Sequence, residues 1–92
     1  MKKIRAHIYI KGRVQGVFYR FWVKKFADKL GIYGWIKNLE NGQVEAVFEG
    51  EKSKVEKIIE ESKKGPRQAG VESVDVSREK AKEIFDSFDI LR

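Results

Sequence analysis

The stretch Gly12-Arg13-Val14-Gln15-Gly16-Val17-Phe18-Tyr19-Arg20 separates two segments of different hydrophobic periodicity. Before it, apolar residues alternate with polar ones, as in a half-buried strand: Ile4, Ala6, Ile8 and Ile10. After it, apolar residues recur at helical spacing: Tyr19, Trp22, Val23, Phe26, Ala27 and Leu30. The quoted stretch is therefore predicted to be a glycine-bearing loop that joins the C-terminal end of a strand to the N-terminus of a helix.

A loop in this position has the chemistry of an anion site. The first turn of a helix leaves backbone N–H groups without partners, at the positive end of the helix dipole. Gly12 and Gly16 allow a tight turn that aims several N–H groups at one anion. Arg20, in the first helical turn, adds a planar fork of donors that suits a phosphoryl group. We predict a phosphate cradle.

The middle of the chain reads as a hairpin followed by a helix. A second strand is predicted from Tyr33 or Gly34 to Asn38 or Leu39, and Asn41-Gly42 predicts a tight turn with positive φ at both residues. Alternating apolar residues then mark a third strand closed by Gly50: Val44, Ala46 and Phe48. A second helix is predicted over 51–64, with Gly65-Pro66 ending it.

Two further strands follow. The fourth is marked by Val71, Val74 and Val76, with a bend near its start, and a charged connection over 77–83 leads to a short last strand containing Phe85, Phe88 and Ile90. The order β-α-β-β-α-β predicts an α+β, ferredoxin-like sandwich. We expect an antiparallel sheet with two helices on one face and a short fifth C-terminal strand.

This topology brings two distant residues to one rim of the sheet. A β-α-β crossover sets the first two strands pointing the same way, with the third inserted between them. The glycine loop leaves the C-terminal end of the first strand, and Asn38 lies at the C-terminal end of the second. We therefore expect Arg20 and Asn38 to meet.

The glycine loop, the segment Gly34-Trp35-Ile36-Lys37-Asn38, the Asn41-Gly42 turn and Gly65-Pro66 with Ala69 and Val71 together resemble the acylphosphatases. The resemblance runs over nearly the whole chain. It implies a metal-independent hydrolase, without a cofactor, that cleaves the carboxyl-phosphate bond of small acyl phosphates to a carboxylate and inorganic phosphate. Inorganic phosphate or sulfate would bind as a product-like ligand.

The resemblance also implies the roles of individual residues. Arg20 would clamp the phosphate and Asn38 would orient the attacking water. The loop would supply backbone donors to the phosphate from Arg13, Val14, Gln15, Gly16, Val17 and Phe18. The Gln15 side chain either braces the loop or touches the substrate, and Arg13 either raises the local potential or is only solvated. Phe18 stands at the variable position of the motif and Tyr19 replaces the commoner Phe, which leaves the shape of the pocket open.

Composition narrows the remaining choices. The 92 residues predict one domain, 1–92. The absence of cysteine excludes disulfides, and with a single histidine a zinc site is not expected. That histidine, His7, falls on the outward face of the first strand and is interpreted as a surface residue.

Charge and hydropathy bear on partners and location. The net charge of +6 would attract small anions, whereas nucleic acid is not expected without a matching module. No apolar run approaches a membrane span or a signal peptide, so we expect a cytoplasmic protein that does not bind membranes. We also expect a monomer. The charged fraction of 37% hints at a thermophilic source.

Two rival functions remain at this level. The first is a non-catalytic domain of the same fold that binds acyl or carbamoyl phosphate, although the extent of the chain around the domain favours a free-standing enzyme. The second is an RNA-binding sheet, since ferredoxin-like folds often carry aromatic residues on the open face. Tyr9 is the main outward aromatic on the first strand, and the RNA-binding aromatic motifs are missing.

Overall fold

The computed structural model describes residues 2–91, which form five strands and two helices. The elements in chain order are β1 (Lys3–Arg13), α1 (Tyr19–Leu30), β2 (Tyr33–Asn38), β3 (Val44–Glu51), α2 (Lys52–Lys64), β4 (Gly70–Lys80) and β5 (Phe88–Ile90). The predicted α+β, ferredoxin-like order is confirmed. The domain predicted for 1–92 includes Met1 and Arg92, which lie outside the described residues.

The strands form one sheet in the order β4-β1-β3-β2-β5. Neighbours are antiparallel except β2 and β5, which pair in parallel, so the prediction of a purely antiparallel sheet is wrong at this edge. The reason lies in where β4 ends: Lys80 pairs with Ile4, at the end of the sheet where β1 begins. The chain crosses that end of the sheet over 81–87 and enters β5 from the end where β2 also begins.

The core lies between one face of the sheet and the two helices. The inward residues of β1 are buried as their alternation predicts: Ile4, Ala6, Ile8 and Ile10. Helix α1 buries Tyr19, Val23 and Ala27, and α2 buries Val55, Ile58 and Ile59 in the same cluster. Helical spacing of apolar residues thus fixes which side of each helix meets the sheet.

Strand β4 is longer than predicted. Residues 77–80, expected in a charged connection, continue the strand because β1 offers unpaired backbone as far as Ile4. The predicted bend is a change of register opposite Lys11 and Gly12, which directs both Val71 and Val74 toward the core although they are three residues apart. Gly12 is required there, since at φ +125° a Cβ would collide with the Gly70 carbonyl oxygen.

The turn between β2 and β3 also differs from the prediction. Gly42 has φ +91°, but Asn41 is not among the positive-φ residues. The Gly42 N–H donates to the Leu39 carbonyl (3.2 Å) and the Leu39 N–H to the Gln43 carbonyl (2.8 Å), so the loop has three residues and only its last is left-handed. The Asn41 side chain accepts from the Gln43 N–H (3.0 Å), which stabilises this longer loop.

The starts of both helices shift by one residue from their predicted positions, and Phe85, predicted in the last strand, lies in the segment before β5. Phe18, expected to open α1, precedes the helix with φ 61° and ψ 19°, and Glu51, expected in α2, ends β3. Among residues 2–91 no helix has the length and apolar character needed to cross a membrane.

Candidate active site

Two apolar residues of the loop between β1 and α1 fix it to the core, while other loop residues are exposed. Val14 is buried and Val17 packs against the core cluster. Between them, Gly16 is exposed at φ 73°, and Arg13, the last residue of β1, is exposed as well. The alternation of anchored and exposed residues holds the main chain in a defined path while one side of it faces solvent.

The backbone amides of this loop are open to a ligand. Within residues 2–91, the N–H groups from Gln15 to Arg20 donate to no protein acceptor, and the first backbone bond of the helix runs from the Trp22 N–H to the Phe18 carbonyl (3.0 Å). Phe18 provides no side-chain cap, and the first turn carries no acidic residue. The positive end of α1 is therefore uncompensated, as the sequence predicts for an anion site.

Gln15 ties the loop to the neighbouring hairpin. Its Nε2 donates to the carbonyl oxygens of Leu39 (2.8 Å) and Gln43 (2.9 Å). Both donor hydrogens of this amide are thereby used. Of the two interpretations of Gln15, the structure shows bracing, and the brace ends on the residue next to Asn38.

Asn38 lies at the same end of the sheet as the loop, where β1 and β2 both finish. It ends β2 and pairs with Val44, which on its other side pairs with Ile10 near the end of β1. Its side chain shares the helix-covered face with Ile36, two residues earlier. Its Oδ1 is buried and accepts no hydrogen bond from residues 2–91. A buried amide oxygen without a protein partner is unusual and suits a bound water.

Arg20 lies in the first turn of α1, directly after the loop. It is half-buried, forms no ion pair within residues 2–91 and lines a cavity of about 250 Å³. The remaining lining residues come from the loop and the first helical turn: Val14, Gly16, Phe18, Tyr19 and Phe21. Among the described residues that line this cavity, Arg20 carries the one formal charge.

Tyr19 fixes the first turn of α1 in a way that the sequence did not reveal. Its hydroxyl donates to the Ser62 carbonyl of α2 (2.6 Å), and burial raises the pKa of this phenol well above its ordinary value of 10. The hydroxyl remains neutral and locks the start of α1 to α2. The sequence signal that could have predicted this hydrogen bond is the tyrosine at a core position of the helix, because a buried hydroxyl requires a partner.

Two other polar regions lie away from the loop. His7 contacts Glu45 across the open face (2.6 Å), so it has an orienting partner that its sequence neighbours did not suggest. A larger cavity of about 410 Å³ lies at the opposite end of the sheet, beside Lys3, Gly31 and Glu49. It contains none of the motif residues. Among residues 2–91 no cluster of His, Asp or Glu suited to a metal ion is found.

Known proteins resemble this chain in both sequence and fold. The acylphosphatase family model matches residues 6–90. A curated acylphosphatase from Roseiflexus sp. is 51% identical over 80 residues, covering 87% of this chain and 86% of its own length. One from Pyrobaculum islandicum is 49% identical over 92 residues, covering 99% and 97% of the two chains.

Solved structures of acylphosphatases have the same fold as this chain. The crystal structure of acylphosphatase from Bacillus subtilis superposes with a TM-score of 0.93 at 32% identity, covering 97% of this chain and 99% of that one. Full-length HypF, solved in a phosphate- and nucleotide-bound form, matches at 26% identity, but the matched part is only 12% of that chain. Near-complete coverage of free acylphosphatases at about half identity does not favour the non-catalytic alternative. The chain belongs to the acylphosphatase family of hydrolases.

Proposed function

We propose that the backbone amides of the loop from Arg13 to Phe18 and the Arg20 guanidinium hold the phosphate of a small acyl phosphate, while Asn38 orients the attacking water. The observation that carries the water-positioning role is the buried, unpartnered Oδ1 of Asn38 at the edge of the sheet where the open loop amides lie. The side chain can accept a hydrogen bond from a water, and nothing in the described chain competes for that oxygen.

The chemical work matches what these groups can do. Water attacks phosphorus, the bond from phosphorus to the acyl oxygen breaks, and a carboxylate and inorganic phosphate leave. Because a carboxylate is a stable leaving group, the protein need not supply a strong acid. It must hold the phosphoryl oxygens and the water in line and stabilise the spread negative charge. Fixed N–H dipoles and one guanidinium are suited to this task.

The water must lose a proton, and Asn38 cannot take it because an amide is not a base at neutral pH. We assign that proton to an oxygen of the substrate's own phosphate, which lies beside the water in the proposed arrangement. The scheme needs no metal and no cofactor. Inorganic phosphate, or sulfate in its place, would occupy the same amides as a product-like ligand.

The remaining parts of the proposal concern the protein as a whole. We propose a single domain over 1–92 that works as a monomer in the cytoplasm and does not require nucleic acid or a membrane. The net charge of +6 favours anionic substrates in general. It does not select among acyl groups.

Release of phosphate from benzoyl phosphate, measured with a chelator present, tests the proposal. We expect turnover by the native protein and a loss of about 10³-fold in kcat/KM for Arg20→Ala, since loss of one donor to a developing oxyanion costs about 10²–10³. Arg20→Lys should also lose most activity, because an ammonium cannot replace the planar fork. Arg67→Ala, at an exposed arginine on another loop, is the matched control and should retain activity.

Inorganic phosphate separates binding from chemistry. As a competitive inhibitor it should bind Asn38→Ala about as tightly as the native protein but bind Arg20→Ala much more weakly. If Asn38→Ala lost phosphate affinity and kept its turnover number, the water-positioning role would be wrong. If the native protein bound phosphate but released none from benzoyl phosphate, the catalytic assignment itself would be wrong.

A further inference from the structure

The side chains that line the cavity beside Arg20 are aliphatic or aromatic apart from the arginine itself. Phe18 and Phe21 line it with side chains that are 73% and 61% exposed. Val14 lines it as well, and the hydroxyl of Tyr19 is used in a hydrogen bond to the Ser62 carbonyl of α2. A single exposed aromatic residue needs no explanation, but two that flank the same charged group form an apolar rim around a phosphate clamp.

The backbone at Phe18 gives an independent indication. Its φ of 61° lies in the left-handed region, where a bulky side chain costs about 1–2 kcal/mol that glycine would avoid. The side chain gains little burial in return, because most of it faces solvent. A strained, exposed phenyl ring beside a binding loop is typical of a residue that contacts a ligand.

We propose that Phe18 and Phe21 form the acyl-binding subsite of this enzyme and make it selective for acyl phosphates with aromatic or other large apolar acyl groups. This inference rests on the proposed function, since it takes Arg20 as the phosphate clamp. The occupant is amphiphilic: its phosphate lies on the loop amides and the guanidinium, and its acyl group lies between the two phenyl rings. Acetyl or carbamoyl phosphate would leave these rings in water and gain nothing from them.

The size of the effect follows from the apolar contact. Removing one ring replaces an aromatic contact with solvent, and one methylene-sized apolar contact in a pocket already changes kcat/KM by about tenfold or more. We therefore expect the native protein to prefer benzoyl phosphate to acetyl phosphate in kcat/KM by at least about tenfold. Phe18→Ala and Phe21→Ala should each lower the ratio of the two values by about tenfold.

Alanine is the informative substitution at Phe18, because it also disfavours the left-handed region and so does not free the loop backbone. Phe18→Leu should restore part of the preference, since it returns apolar contact without a ring. Ile84→Ala is the matched control, because Ile84 is 69% exposed and lies in the segment before β5. It should leave the ratio unchanged.

Two non-hydrolysable ligands test the subsite without turnover. Phenacylphosphonate and acetonylphosphonate differ only in phenyl against methyl, and calorimetry should show the phenyl compound binding about tenfold more tightly to the native protein and equally to the Phe18→Ala, Phe21→Ala double variant. Equal affinities for the native protein, or a benzoyl-to-acetyl ratio that the variants do not change, would overturn the subsite and leave the hydrolase intact. Absence of turnover with both acyl phosphates would instead contradict the proposed function, while the phosphonate affinities would still decide the subsite.

Discussion

Two buried polar groups on neighbouring strands, the Glu49 carboxylate and the Asn38 side-chain oxygen, differ in their hydrogen bonding. Glu49 of β3 is only 5% exposed and accepts hydrogen bonds from Arg5 Nε (2.7 Å) and the N–H groups of Lys82 (2.8 Å) and Glu83 (3.0 Å). Asn38 of β2 has a buried Oδ1 with no partner in residues 2–91. The Glu49 carboxylate finds its hydrogen-bond donors within the chain, whereas the Asn38 oxygen finds none among residues 2–91 and is left for a ligand or water.

The difference separates a group that stabilises the fold from one that stays available for binding. Glu49 holds the segment 81–87 against the end of the sheet, and Arg5, although its Nη2 finds no acceptor, stacks on the Phe85 ring (5.0 Å). This cluster fixes the entry to β5. At the other end the loop amides, Arg20 and Asn38 all retain unused hydrogen-bonding capacity. Binding sites commonly keep such capacity at a cost in stability.

The largest effect is expected from Glu49→Ala. This substitution leaves the Arg5 charge and two amides without their acceptor, and breaking a buried charge pair costs about 3–5 kcal/mol in the free energy of unfolding. Urea denaturation measures it. Benzoyl phosphate turnover by the folded fraction should not change, because the cluster is remote from the loop. Glu60→Ala, at an exposed ion pair with Lys63, is the control and should cost less than about 1 kcal/mol.

Asn38→Ala should show the reverse pattern. On the proposed role, loss of the Asn38 oxygen should lower kcat by about 10²-fold, equivalent to about 2.7 kcal/mol. The free energy of unfolding should stay the same or rise by up to about 1 kcal/mol, because an unsatisfied buried group is removed. Phosphate-release assays give kcat, and urea denaturation of the same preparation gives the free energy of unfolding. A large loss of stability with turnover intact would show that Asn38 is structural, like Glu49.

Acid should act on the Glu49 cluster. Burial by itself would raise the pKa of this carboxyl, but the Lys82 amide, Arg5 and the Glu83 amide together lower its pKa below the ordinary 4.5. A carboxyl with a lowered pKa in the folded state stabilises the protein above its unfolded pKa, and this stabilisation is lost as the pH falls through the folded value.

We therefore expect the free energy of unfolding to decline below about pH 4.5 by at most about 1.4 kcal/mol per pH unit from this one group. Glu49→Gln should be less stable at neutral pH and should show a shallower decline. Urea midpoints between pH 3 and pH 7 give the comparison. An identical pH profile for the two proteins would contradict the assignment.

The smallest effect concerns strain at the loop. Phe18→Gly relieves the left-handed backbone but adds freedom to the unfolded chain, so the net gain in the free energy of unfolding should be about 0.5 kcal/mol. Phe18→Ala, which keeps the strain, should give no gain. Thermal melts of the two variants side by side measure the difference. If glycine were no more stable than alanine, the loop would not store strain at this residue.

The sequence predicted both the elements and the candidate site to a large extent. Apolar residues recur every two residues in the strands and about every 3.6 residues in the helices, because each element must bury one face. The motif from Gly12 to Arg20 locates the loop between the first strand and the first helix. The rule that a β-α-β crossover joins parallel strands correctly places that loop and Asn38 at the same end of the sheet. These inferences depend on local patterns and on a small set of allowed topologies.

What the sequence could not determine depends on partners far along the chain. The length of β4 is set by the free edge of β1, and the parallel pairing of β5 by the route of 81–87 around one end of the sheet. The partners of Gln15 and Tyr19 lie on other elements, at Leu39 and Ser62. Glu49 looks like an outward residue of an alternating strand until the returning chain covers it.

The amino-acid sequence by itself therefore determined the fold class, the order of the elements and the position of the glycine loop between β1 and α1, because burial of apolar faces and backbone geometry act over short stretches. Only the tertiary structure decided which polar groups are satisfied within the chain and which stay available to a ligand. Hydrogen bonds of buried groups are completed by residues that folding brings together from distant positions, and no local pattern records them.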